Sequence, residues 1–283
     1  MRRLTYENSR GESIEFYQSP FLIESLTGIG EVDANLQSQK SPYQDGDTYI
    51  DSTLEPRYPT LEGVITETNL KIIKEYRHQI LRVCNPKLGL GKLTLEIDGD
   101  IKEIYGVLDG VPSFPERGNN PHQRFMIVWK CPDPYWKDIE ETNEPLASWI
   151  GSFEFPFEFP VEFGEKANRV TIENDGDAPA PVLIEFHGPA SNPIISNETT
   201  GEFLKVNRSL STGEVLQVNT AFGEKTVEIV AVNGTRTNVF NYIDPDSSFF
   251  HLLSGENDIS FNSDDADISA TVSIKYKKRY IGV

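Results

Sequence analysis

The sequence predicts a mainly β protein of two domains: an N-terminal β-rich domain with one helix and a long hairpin, then a C-terminal β-sandwich of jelly-roll type. Three observations predict this. Short runs of alternating polarity recur along the chain, separated by glycine, proline and Asp/Asn turn residues, as strands joined by tight connections require. One segment, 66–83, repeats its apolar residues at helical spacing instead. Finally, 283 residues exceed the ~100–200 usual for one domain, and a polar, proline-interrupted stretch lies near the middle. Composition draws the boundaries at 1–140 for the first domain, 141–166 for a linker and first strand, and 167–283 for the second.

The first hairpin pairs Leu4-Thr5-Tyr6 with Ile14-Glu15-Phe16 around the turn-forming Asn8-Ser9-Arg10-Gly11. A longer hairpin spans 32–58 and turns at Gln44-Asp45-Gly46-Asp47. Its outgoing strand is short of apolar side chains: Val32, Ala34 and Leu36 share one face, Asp33, Asn35, Gln37 and Gln39 the other, and beyond Leu36 neither face is apolar. An isolated two-stranded ribbon is marginal in water, so this one needs a surface to lie on, in its own domain or on a neighbouring subunit. The helix follows over 66–83. Leu70, Ile73, Tyr76, Ile80 and Leu81 form its apolar face, Thr66, Thr68 or Asn69 caps its start, and Asn85-Pro86 ends it. In the third hairpin Leu93, Leu95 and Ile97 alternate up to Asp98-Gly99, a pair suited to a type I′ turn.

Phenylalanines alternate with glutamates from Phe153 to Phe163, where Pro156 and Pro160 confine the segment to a sheet edge or an interdomain connection. Strands are then expected at 170–172, 182–186, 203–206, 215–218, 227–230, 238–242, 258–261 and 268–276, with Gly-containing turns between most of them. The basic cluster Lys275, Lys277, Lys278 and Arg279 reads as a solvated sheet edge that discourages strand addition.

The formal net charge is −18, with −6 in residues 1–140 and −12 in residues 141–283. A surface this acidic repels phosphates, so stable nucleic-acid binding is not expected. No apolar run is long enough to span a membrane and no signal peptide is visible, so membrane insertion is not expected. Cys84 and Cys131 lack metal-site spacing and read as buried thiols of a chain folded in a reducing cytoplasm.

Chemistry-bearing motifs fail one after another. Asp98-Gly-Asp100 and Asp244-Pro-Asp246 begin like calcium loops but lack the required Gly and Glu positions, and both read as turns. Asp264-Asp265-Ala-Asp267 reads as an acidic surface loop. The four histidines are scattered, with His78 and His251 read as packing residues. There is no nucleophile elbow, phosphate loop or dinucleotide fingerprint, so neither catalytic residues nor a cofactor or metal is expected. Among 44 acidic residues a glycosidase-like carboxylate pair carries no information.

Several patches, taken in order, resemble the phage tail component family, the distal tail proteins of siphophages infecting Gram-positive bacteria. They are Tyr6-Glu-Asn-Ser-Arg-Gly-Glu12, Gly28-Ile-Gly30, Pro42-Tyr-Gln-Asp-Gly46, Asn85-Pro86 with Gly89 to Leu93, and Cys131-Pro-Asp-Pro-Tyr-Trp136 in the first half. Phe157-Glu-Phe-Pro, Phe186-His-Gly188, Asn192-Pro193, Leu252 to Asn257 and Arg279-Tyr-Ile-Gly282 follow in the second. The resemblance implies a structural virion protein without catalytic activity, a homo-hexameric ring at the tail tip, assembled in the host cytoplasm. Its implied partners are the tail-tube protein, the tail-associated baseplate hub and the receptor-binding apparatus. It also implies a ring-forming N-terminal domain whose hairpin reaches over a neighbour, and a galectin-like C-terminal sandwich. Pro42, Gln44, Asp45 and Gly46, the matched patch on the hairpin, are the expected subunit-interface residues.

Two rival classes are a carbohydrate-binding module for host cell-wall glycans and a glycosidase. No cluster of exposed aromatics with convergent polar groups stands out in the second half, so glycan binding is expected to be absent or weak. Trp149 is the one candidate sugar platform, and packing at the domain junction is its more ordinary role.

Overall fold

The computed structural model describes residues 2–146, 168–264 and 271–283. The Phe153–Phe163 alternation, Trp149, Asp265, Asp267 and the expected start of the last strand at Ile268 lie outside the described residues. The chain forms two compact units, Met1–Ile139 with Tyr280–Val283, and Glu140–Arg279. Among the described residues it is β-rich, with one α-helix in the first unit and several sheets.

In the first unit the strands are β1 (Arg2–Glu7), β2 (Ser13–Phe16), β3 (Phe21–Thr27), β4 (Ala34–Gln39), β5 (Thr48–Leu54), β6 (Thr60–Ile65), β7 (Gly91–Ile97), β8 (Asp100–Leu108), β9 (Gln123–Lys130) and β10 (Trp136–Asp138). Seven of them run in the order β2-β1-β7-β8-β9-β6-β3, and β10 joins at β8. Alternation decides which side chains go inside: Leu4 and Tyr6, Leu93 and Leu95, and Phe125, Ile127 and Trp129 are all buried in one cluster. Asp98 and Gly99 both have positive φ, at 52° and 95°, as a type I′ turn demands.

The helix, α1 (Leu70–Val83), starts later than its spacing suggests. Three local hydrogen bonds to side-chain oxygens fix the start, with Asn69 extended. Glu67 accepts from the Thr68 and Asn69 amides, and the Asn69 side chain then caps Lys71 N–H at 2.9 Å. The buried stripe is Ile73, Ile80 and Val83, with Tyr76 edge-on to Phe21 at 5.4 Å. Leu70, expected on the apolar face, is exposed.

The second unit contains β11 (Thr142–Pro145), β12 (Arg169–Asn174), β13 (Ala180–His187), β14 (Ile194–Asn197), β15 (Glu202–Lys205), β16 (Val215–Asn219), β17 (Thr226–Val230), β18 (Arg236–Asn238), β19 (His251–Leu252), β20 (Gly255–Asn262) and β21 (Thr271–Tyr276). One sheet runs β11-β21-β13-β16-β17-β18 with β19 beside β13, and the other runs β12-β20-β14-β15. Both feed a single hydrophobic cluster: Ile184, Phe186, Val218 and Ile274 from one, Ile172, Ile195, Ile259 and Phe261 from the other. Phe186 and Phe261 meet edge-on at 6.1 Å.

Two expectations fail here for identifiable reasons. The strand expected over 238–242 ends at Asn238, whose side chain accepts from Phe240 N–H and turns the chain into a short 3-10 helix, Phe240–Tyr242. The basic cluster is not a free edge, because β21 lies between β11 and β13. There Lys275 pairs across the sheet with Glu185 at 2.9 Å, and Lys278 pairs with Asp175.

The last four residues, Tyr280–Val283, belong to the first unit, where β22 (Arg279–Tyr280) lies beside β10. The Tyr280 ring sits 4.3 Å beneath the Lys102 ammonium, and its hydroxyl lies 3.2 Å from Asp138. Burial alone would lower the Lys102 pKa, but hydrogen bonds to Asp100 and Asp138 outweigh it and raise it.

Candidate functional site

Among the described residues the hairpin β4–β5 pairs only with itself. All of its strand residues are exposed except the half-buried Leu54. The polar composition of β4 leaves no face able to enter a core. Yet the ribbon carries large apolar side chains into solvent: Leu36 is 67% exposed, Tyr49 61% and Ile50 58%. The register explains Ile50. Gln37 pairs with Asp51 and Ser38 with Tyr49, so Ile50 is the extra residue of a bulge, a device that re-aims a side chain out of the ladder.

Pro42, Gln44, Asp45 and Gly46 lie together at the hairpin tip. Pro42, Asp45 and Gly46 are exposed, and Gln44 is half-buried. Gln44 organises the tip: its side-chain oxygen accepts from Ser41 N–H at 3.0 Å, and its amide reaches the Thr48 hydroxyl at 3.2 Å. Gly46 takes a positive φ of 76°. So does Tyr43, at 65°, which leaves its ring fully exposed. A non-glycine residue in this region is uncommon, and an aromatic one is worth a functional explanation. The sequence patch marked the tip but not the solvent-facing Tyr43, Leu36, Tyr49 and Ile50. A tyrosine between proline and glutamine in a turn is the one signal that pointed there.

The hairpin root is rigid by contrast. Glu55 N–H donates to the Asp33 carbonyl at 2.8 Å, bringing the two ends together. Behind it Arg57 is buried, and among the described residues its guanidinium donates only to backbone carbonyls. Nε reaches Pro134 O at 2.8 Å, Nη1 reaches Ile29 O at 2.8 Å and Glu31 O at 3.0 Å, and Nη2 reaches Ile281 O. The planar fork suits this divergent set of acceptors. Burial lowers the Arg57 pKa, while Cys131 and Glu31 oppose that shift. Gly28 belongs to the same root, with φ at +71°, and a Cβ there would collide with the Tyr58 carbonyl. Trp136 donates its indole N–H to Ile29 O at 2.9 Å.

Burial pushes the Cys131 thiol up to about 12, against the pull of Arg57, and burial likewise pushes the Cys84 thiol up to about 12. Both cysteines are free and buried, as expected. Among the described residues no group of three or more His, Cys, Asp or Glu is placed to hold a metal ion. His78, expected to pack, is exposed on α1, whereas His251 packs edge-on against Phe222 at 5.3 Å.

The family model of the siphovirus-type tail component, C-terminal domain, matches residues 175–280, and that of the phage tail protein RIFT-related domain matches residues 9–131. The chain belongs to the siphovirus tail component family. It is a structural protein of the phage tail. Its fold is similar to that of SPP1 Dit (gp 19.1), described as a paradigm of hub adsorption apparatus in Gram-positive infecting phages. The TM-score is 0.68 at 12% identity, over 98% of each chain. It is also similar to a chain of the phage P2 baseplate in its activated conformation, solved with Ca and with Sr. Those TM-scores are 0.53 and 0.55 at 11% and 10% identity, over 100% of each chain. A search of curated protein sequences finds no match.

Proposed function

We propose that this family member is a distal tail component that closes into a homo-hexameric ring at the tail tip. It joins the tail-tube protein to the baseplate hub and the receptor-binding apparatus. The first unit forms the ring and the β4–β5 hairpin is its clasp, with Pro42, Gln44, Asp45 and Gly46 at the subunit interface. The second unit, two sheets on one core, is read as a galectin-like sandwich. One observation carries this reading: the hairpin exposes Leu36, Tyr43, Tyr49 and Ile50 and, among the described residues, pairs with no other strand of its own chain. Exposed apolar side chains grouped on one element mark an interaction surface, and head-to-tail contacts that close give cyclic rings. Light scattering coupled to gel filtration is expected to give a mass near six chains at micromolar concentration. A monomer throughout that range would refute the ring.

A second reading, contact with cell-wall glycan, is favoured by an aromatic group that the sequence did not reveal. Phe222 is 79% exposed, the Lys225 ammonium lies 5.1 Å from its ring and 4.9 Å from that of Phe249, and Phe240 stacks on Phe249 at 5.7 Å. These residues come from three separate stretches, so no local pattern announces them. If the ring role is the whole function, calorimetry with host-wall polysaccharide yields no saturable heat. Saturable binding that is lost in Phe222→Ala, with the ring intact, would establish the glycan contact.

A further inference from the structure

The chain is strongly acidic, yet the outward face of α1 is not. Lys71, Lys74, Glu75, His78 and Arg82 recur at helical spacing, all exposed, and line a shallow depression with Gln79. Arg82 engages Glu12 at 3.4 Å, but among the described residues Lys71 and Lys74 form no ion pair. The hairpin has the opposite character. Residues 31–55 carry six carboxylates against one lysine. Asp47 accepts from the Ser38 hydroxyl and Asp51 from its neighbouring Ser52 N–H, and no ion pair reaches Asp45, Asp47 or Asp51 among the described residues.

We propose that the basic face of α1 is the seat for the acidic hairpin of a second copy of this chain. The inference rests on the ring reading above and names the surface that receives the clasp. Charge is complementary where the protein as a whole repels itself, so the pairing fixes orientation and register between copies that otherwise share one sign. Length agrees as well: fourteen helical residues span about 21 Å and a seven-residue strand about 23 Å. Leu70, exposed at the start of the helix, offers an apolar contact for the tip residue Tyr43. In a ring this contact is head-to-tail, so each copy gives one hairpin and receives another.

Charge exchange tests this on the full-length protein. Lys71→Glu with Lys74→Glu makes one variant, and Asp45→Lys with Asp51→Lys the other. All four side chains are exposed, so both variants are expected to keep the wild-type circular dichroism and melting temperature. Each alone is expected to raise the concentration needed for ring formation by at least about tenfold in light scattering. An equimolar mixture is expected to restore rings near the wild-type concentration, since alternating copies present matched charges at every interface. Wild-type rings are also expected to loosen as salt rises from 50 mM to 500 mM. If the helix variant forms rings like the wild type while hairpin removal abolishes them, the seat lies elsewhere and the ring reading stands. Failure of the mixture to reassemble overturns the pairing equally. A wild-type protein that never forms rings overturns both.

Discussion

Replacing residues 34–54 with a short Gly-Ser link is expected to leave a folded monomer and to abolish the ring. No residue of that stretch belongs to the buried cluster of the first unit. The Asp33 carbonyl and Glu55 N–H are already hydrogen-bonded at 2.8 Å, so a short link spans the cut without strain. Fixing the backbone costs ~1–2 kcal/mol per residue, whereas a hydrogen bond within the ribbon contributes a net ~1 kcal/mol. With its side chains in solvent the ribbon contributes little to the stability of its own unit. It gains when Leu36, Tyr43, Tyr49 and Ile50 are covered, and in a ring the neighbour covers them. Circular dichroism and thermal melting should match the wild type within about 2 °C, the scale of a 1 kcal/mol change in a domain of this size. Light scattering should report one chain. Rings persisting in the deletion would show that the hairpin is not the clasp, and an unfolded product would show that it supports its own domain.

Arg57→Met should give the largest loss of stability of any single substitution at the root. Methionine keeps much of the buried stem but none of the donors, so the carbonyls of Pro134, Ile29, Glu31 and Ile281 lose a charged partner together. Hydrogen bonds to charged groups are worth ~1.5–3 kcal/mol each, and their acceptors here are partly shielded from water. A net loss of roughly 3–5 kcal/mol is expected, lowering the melting temperature on the order of 10 °C. Scanning calorimetry reads it directly. Arg57→Lys should fall between the two, since a single ammonium cannot reach acceptors that diverge in this way. A wild-type melting temperature for Arg57→Met would show that water replaces the guanidinium without penalty.

Much of the fold was legible because strands and turns are written in local pattern. The period-two runs at 93–97 and 182–186 turned Leu93, Leu95, Val182, Ile184 and Phe186 into the core, with Ile97 partly buried, and Asp98-Gly99 made the turn its chemistry favours. The Asn69 cap was among the expected candidates, although the helix begins four residues later than the spacing suggested. There the side chain of Glu67 competes for backbone amides, which an apolar period cannot register. The candidate site was legible in outline. A long strand without a usable apolar face declared that the hairpin needs a surface to lie on, and the ordered patches declared the family.

Contacts through space were another matter. Arg57 reads as one more charged residue until Ile281, 224 positions away, is brought against it. The last strand reads as a basic edge until β11 covers it and Glu185 pairs with Lys275. The basic face of α1 is visible as spacing, but its meaning depends on Asp45, Asp47 and Asp51 forming no ion pair among the described residues, which only the folded chain reveals. By itself the sequence determined which segments pair locally and which residues turn inward, because backbone geometry imposes short periods on polarity. The tertiary structure alone decided which distant groups share a hydrogen bond or a charge, because those energies depend on distance in space and leave no period along the chain.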